Sequence, residues 1–120
     1  VKIIDTKTHG YMDYIVGTFL IACPSLFNLS HETIQGLVFY AAGAAALFYS
    51  LLTNYELGLI KIIPMKVHLM LDFLSGVLLA ASPWLFGFAE TVYSPHVVLG
   101  LIEITVTILT KSKTTREITA

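Results

Sequence analysis

Residues 68–86 read HLMLDFLSGVLLAASPWLF, with a histidine and an aspartate one helical turn apart at the head and a proline near the close. Counting back 59 residues from His68, Asp72, Gly76, Pro83 and Phe86 lands on His9, Asp13, Gly17, Pro24 and Phe27. The chain is therefore a duplication of one unit, and every other stretch is read against that repeat.

Composition then selects the solvent. Of 120 residues, 56% are hydrophobic and 12% charged, about half the charged share of a soluble globular domain. Too little charge remains to solvate several long apolar segments, so the bilayer is the expected surrounding. A net charge of −1 offers nothing to nucleic acid, and one cysteine excludes an intrachain disulfide framework.

The expected fold is all-α: a four-transmembrane-helix bundle from two tandem two-helix repeats. Repeat 1 covers about 8–53, an interfacial connection about 54–66, repeat 2 about 67–110, and a polar, frayed tail 111–120. Spans are expected at about 8–27, 33–53, 66–88 and 96–110, with Thr8 as the first N-cap and Pro95 at the start of the last helix. Pro24 and Pro83 lie near the far ends of their spans, where a missing backbone donor ends or bends a helix instead of breaking it mid-membrane. In the second span Gly36, Gly43 and Ser50 recur every seven residues, a small-residue face suited to close helix packing.

All seven basic residues (Lys2, Lys7, Lys61, Lys66, Lys111, Lys113 and Arg116) fall on one side of this topology, and the opposite turns carry Glu32 and Glu90. Basic residues concentrate in short cytoplasmic loops, which predicts both termini in the cytoplasm. The aromatic residues agree, with Phe27, Trp84, Phe86 and Tyr93 outside and Tyr11, Tyr14, Tyr49 and Tyr55 inside. Leu20-Ile21-Ala22-Cys23 would also pass as a lipoprotein cleavage site. The repeat opposes that reading, because Cys23 aligns with Ser82 inside an equivalent span.

At Ser82-Pro83-Trp84 the chain resembles the SPW repeat family of small bacterial membrane proteins, in which a two-helix unit carrying that motif is repeated. The first unit departs from the motif, reading Cys23-Pro24-Ser25. The resemblance implies a multi-pass protein of the bacterial inner membrane and no established activity, so it carries over no catalytic residue.

Chemistry, if the chain has any, belongs to the ionisable groups inside the spans. His9 and Asp13, like His68 and Asp72, stand at i and i+4, on one stripe of each helix. Related by a pseudo-two-fold axis along the membrane normal, the stripes lie at equal depth and converge if they face that axis. Glu103 joins them about one turn away, with His96 and Gly100 on its own face. An intramembrane aspartate costs about 2.5–3.5 kcal/mol, which makes such a cluster a site hypothesis by default. The bland alternative is that each pair steadies its own helix, with His31 and His96 on the outer surface.

The expected function is a structural or partner-binding membrane module, surrounded by lipid, as a homo-oligomer or with a membrane partner, and without a cofactor; no phosphate loop or nucleophile-base pair points to an independent hydrolase or transferase. The contrasting class is proton, cation, metal or haem handling by His9, Asp13, His68, Asp72 and Glu103.

Overall fold

The computed structural model describes residues 1–119; the last residue of the predicted tail lies outside them. The described chain is all-α, with α1 Thr6–Leu26, α2 Ile34–Leu51, α3 Met65–Leu85, α4 Ser94–Leu109 and α5 Thr115–Thr119. Helices α2 and α3 are long and apolar enough to cross a membrane, and α4 is a shorter apolar helix.

Helix α1 starts earlier than the sequence suggests. Asp5 is the N-cap, its Oδ1 accepting from the Thr8 backbone N–H at 2.7 Å, so Thr8 lies in the first turn. An aspartate outranks threonine here because its charge also faces the positive helix end.

Pro24 and Pro83 do not end their helices at once, and α1 and α3 each run two residues further. Closure follows in both: Leu29 N–H donates to the Pro24 carbonyl at 2.8 Å, and Phe88 N–H to the Pro83 carbonyl at 2.7 Å. This closure needs a left-handed residue after the C-cap. Asn28 (φ 54°) and Gly87 (φ 76°), 59 positions apart, supply it.

The second helices repeat with an offset of 57, two fewer residues than the first. Gly17 packs on Gly43 where α1 crosses α2, and Gly76 on Gly100 where α3 crosses α4. At the opposite ends, Ile63 bridges to Thr53 and Ile4 to Thr110 in parallel sense. The end of α2 thus holds the lead into α3, and the end of α4 holds the lead into α1, so the contact pattern closes on itself.

The core divides into two apolar clusters, one of Leu20, Cys23, Phe39 and Leu79 and one of Tyr55, Met65 and Leu69. Between α2 and α3 the packing opens into an apolar groove of about 640 Å³, lined in part by Ala41, Ala45, Leu74 and Leu78. The tail, expected to fray, forms α5 instead. Glu117 accepts from Thr114, and Glu56 accepts from the Thr115 backbone N–H at 2.9 Å.

Candidate functional site

The His-Asp stripes of α1 and α3 face one another. The near-perpendicular crossing of the His9 and His68 rings, with centroids 5.4 Å apart, brings both Nε2 atoms toward the two carboxylates. His9 Nε2 lies 3.0 Å from Asp13 Oδ1 and 2.8 Å from Asp72 Oδ2. His68 Nε2 lies 3.0 Å from Asp13 Oδ2 and 3.1 Å from Asp72 Oδ2. Each histidine therefore meets the aspartate of its own helix and that of the other.

Behind each imidazole stands a threonine from the opposite half. His9 Nδ1 is 2.8 Å from Thr110 Oγ1, and His68 Nδ1 is 2.7 Å from Thr53 Oγ1. Both hydroxyls spend their single proton on a helical carbonyl, Thr110 on Val106 at 2.6 Å and Thr53 on Tyr49 at 2.7 Å. The threonine oxygens can then only accept, which places the ring proton on Nδ1 of each histidine. Each Nε2 is left facing carboxylate oxygens.

Two tyrosines complete the setting. Tyr49 donates to Asp72 Oδ1, and Tyr55 donates to Asp13 Oδ2 at 2.7 Å. Burial, followed by the charge of Asp13, pushes the Tyr55 hydroxyl well above its ordinary range, so it remains a donor.

A neutral imidazole lone pair and a carboxylate oxygen are both acceptors. Their close approach in a buried space is stable only with a proton between them, on the ring or the carboxyl, or with a metal ion among them.

Glu103 stays outside this ring of contacts. It lines a cavity of about 70 Å³ together with His9, Asp13 and Asp72, and its Oε2 is buried without a hydrogen-bond partner among the described residues. A space of that size takes two or three waters and no porphyrin.

The other predicted residues divide. Gly36, Gly43 and Ser50 are all buried. Gly43 lies against α1, whereas Gly36 lies against the Ser30 backbone. Cys23, Pro24, Ser82 and Pro83 are buried, Ser25 is exposed, and Trp84 stands out at 61% exposure. His31 is exposed. His96 is not the surface residue expected of it: it is fully buried between Phe39 and Phe88, and its Nε2 donates to the Gln35 carbonyl at 2.9 Å. Its position explains why, since His96 is the counterpart of Phe39 under the offset of 57 and fills the equivalent core position.

Thr53 and Thr110 are not among the site residues expected from the sequence, and Tyr49 and Tyr55, expected in the inner aromatic belt, instead turn their hydroxyls onto Asp72 and Asp13. The threonines had a signal, because aligning the second helices on Gly43 and Gly100 pairs Thr53 with Thr110. The tyrosines had none, as neither has a tyrosine in the other unit.

A family model described as the SPW repeat domain matches residues 7–110. No curated protein and no solved structure matches the chain.

Proposed function

The chain belongs to the SPW repeat family, and we propose that it is a four-span protein of the bacterial inner membrane, with both termini cytoplasmic, that serves as a structural or partner-binding module. One observation carries this reading: the ionisable groups of the His-Asp stripes are turned inward while large apolar side chains cover the outside. His9, His68 and Asp72 are buried, while Ile15 and Phe19 on α1, Phe48 on α2, Met70 and Leu78 on α3, and Leu101 and Ile108 on α4 are exposed. Water does not solvate so continuous an apolar surface, and hydrocarbon does.

The same inversion accounts for α1, whose hydropathy is lowered by His9 and Asp13, groups that lipid does not meet. Helix α4, 16 residues long, reaches only about 24 Å, and a short span is accommodated by local thinning of the bilayer. Trp84, Phe86 and Tyr93 are exposed at one end, suited to the headgroup level. The units stand as tandem two-helix repeats, and the His-Asp contacts fasten them together. In this role the cluster replaces the apolar driving force that helices lose inside lipid.

Topology mapping tests the reading. In a Cys23→Ser background, Glu32→Cys and Glu90→Cys should react with an impermeant maleimide in intact cells, and Lys61→Cys only after permeabilisation. Release of the chain by alkaline carbonate, or labelling of Lys61→Cys in intact cells, would overturn it.

A further inference from the structure

The geometry points to a closed tetrahedral site for one divalent transition-metal ion, with zinc as its best-matched occupant, ligated by His9 Nε2, His68 Nε2, Asp72 Oδ2 and one oxygen of Asp13. The candidate donor atoms of these four residues all lie within 4.8 Å of one another. Tetrahedral zinc with bonds of about 2.0–2.2 Å separates its ligand atoms by roughly 3.4 Å. With Asp13 ligating through Oδ1, three of the nitrogen-to-oxygen distances between ligand atoms, 2.8 to 3.1 Å, reach that value by an outward shift of a few tenths of an ångström. Two imidazoles sharing one tetrahedral ion hold their ring centroids on the order of 5 Å apart. Here the separation is 5.4 Å.

A second, independent observation points to a ligand. His68 is fully buried, and its Nε2 has no aligned hydrogen-bond partner among the described residues, although two carboxylate oxygens lie about it. An acceptor nitrogen aimed into such a space is what a metal ion satisfies.

The outer contacts match those of a metal centre as well. Histidine ligands are commonly fixed through their other ring nitrogen, and ligand carboxylates by hydrogen bonds to the oxygen that is not coordinating. Thr110 and Thr53 do the first for His9 and His68. Tyr49 and Tyr55 do the second for Asp72 and Asp13. Two neutral imidazoles and two carboxylates sum to −2, which a divalent ion cancels, so the loaded site is neutral where charge is costly.

Nitrogen and oxygen donors without thiolate favour zinc, cobalt(II), manganese(II) or iron(II) over soft ions. Four protein ligands leave no open position, which makes the site structural: one ion joins α1 to α3, each repeat giving one histidine and one aspartate.

The test uses the untagged full chain, purified in mild detergent and stripped with chelator. Cobalt(II) is added as a spectroscopic probe, and bound zinc is counted by elemental analysis after dialysis. One equivalent of either metal is expected, with visible cobalt bands of tetrahedral intensity. His68→Gln should abolish those bands, while Glu103→Gln, outside the ligand set, should keep them. Thr53→Val and Thr110→Val should retain the stoichiometry and bind about 10–100-fold more weakly, as removal of an outer contact does. Because His68→Gln could fail to fold, the parent decides alone. Folded parent that binds no stoichiometric metal, or that gives an octahedral cobalt spectrum, overturns the site. Unchanged tetrahedral bands in folded His68→Gln overturn it equally.

Discussion

Asp72 Oδ2 of α3 lies 2.8 Å from His9 Nε2 of α1 and 3.1 Å from its own helix's His68 Nε2, so one carboxylate oxygen serves both halves of the molecule. Asp13 divides the same task between its two oxygens and is the more exposed of the pair, at 10% against 5%. The two aspartates are equivalent in sequence and unequal in burden.

Substitution should expose that inequality. In metal-free protein, Asp72→Asn keeps the shape of the side chain and removes the charge both imidazoles face, which should cost about 3–5 kcal/mol, as breaking a buried pair does. Asp13→Asn should cost less. Reversible unfolding in mixed detergent micelles measures both; equal losses would refute the inequality, and no loss at Asp72 would show that the cluster does not fasten the halves.

The hydroxyl partners give a separate prediction. Tyr49→Phe removes the donor to Asp72 Oδ1, and Tyr55→Phe removes the donor to Asp13 Oδ2. A hydrogen bond to a charged acceptor is worth about 1.5–3 kcal/mol, and each variant should lose stability in that range. Tyr55, at 2% exposure, is also part of an apolar cluster that phenylalanine would still fill, so the loss there reports the hydroxyl itself.

Much of this was legible from residues alone because the repeat is written in types with few alternative uses. His9 and Asp13, matched by His68 and Asp72, placed two ionisable stripes on apolar helices, and their meeting follows once both helices turn those stripes inward. The Asn28 and Gly87 closures were not read, although a residue tolerant of positive φ recurs 59 positions on. The threonine supports stayed hidden because the second helices follow a different offset, which a single repeat length cannot register. His96 was misplaced by its polarity. Its ring packs as the counterpart of Phe39, and one hydrogen bond to a backbone carbonyl is enough to keep it buried.

Helix crossing rests on four glycines in two pairs, and here alanine should already be too large. A Cβ on Gly43 would fall 2.7 Å from the Gly17 carbonyl oxygen, and one on Gly100 would fall 2.6 Å from both the Gly76 carbonyl oxygen and the Ala80 backbone nitrogen. These are backbone atoms, which cannot swing aside as a side chain does. Gly43→Ala and Gly100→Ala should each cost about 1–3 kcal/mol by overpacking. Gly100→Ala should be the worse, because both α3 backbone atoms it meets stand at 2.6 Å, whereas the second α1 backbone atom near Gly43, the Ile21 nitrogen, stands at 3.0 Å. Thermal unfolding in detergent would show it, and a neutral Gly100→Ala would mean that the crossing is looser than these distances require.

The last prediction concerns the end of the molecule where three segments meet at Glu56. Its Oε1 accepts from Thr6 Oγ1 at 2.7 Å and its Oε2 from the Thr115 backbone N–H at 2.9 Å, which joins the connection before α3 to the first turn of α1 and to α5. Partial burial works against the charge, but the hydrogen bonds from Thr6 and Thr115 outweigh it and hold the carboxyl down at about 2, below its ordinary 4.5. A group whose acidity is strengthened by folding stabilises the folded form above its unfolded value and loses that contribution as it is protonated. Docking of α5 should therefore be constant above about pH 4.5 and weaken progressively toward about pH 2. Hydrogen exchange at the Thr115 amide, corrected for its intrinsic acid dependence, reads this directly. Glu56→Gln should lower the protection at neutral pH and remove its fall in acid, whereas an acid profile identical to that of the parent would assign the α5 docking to some other group.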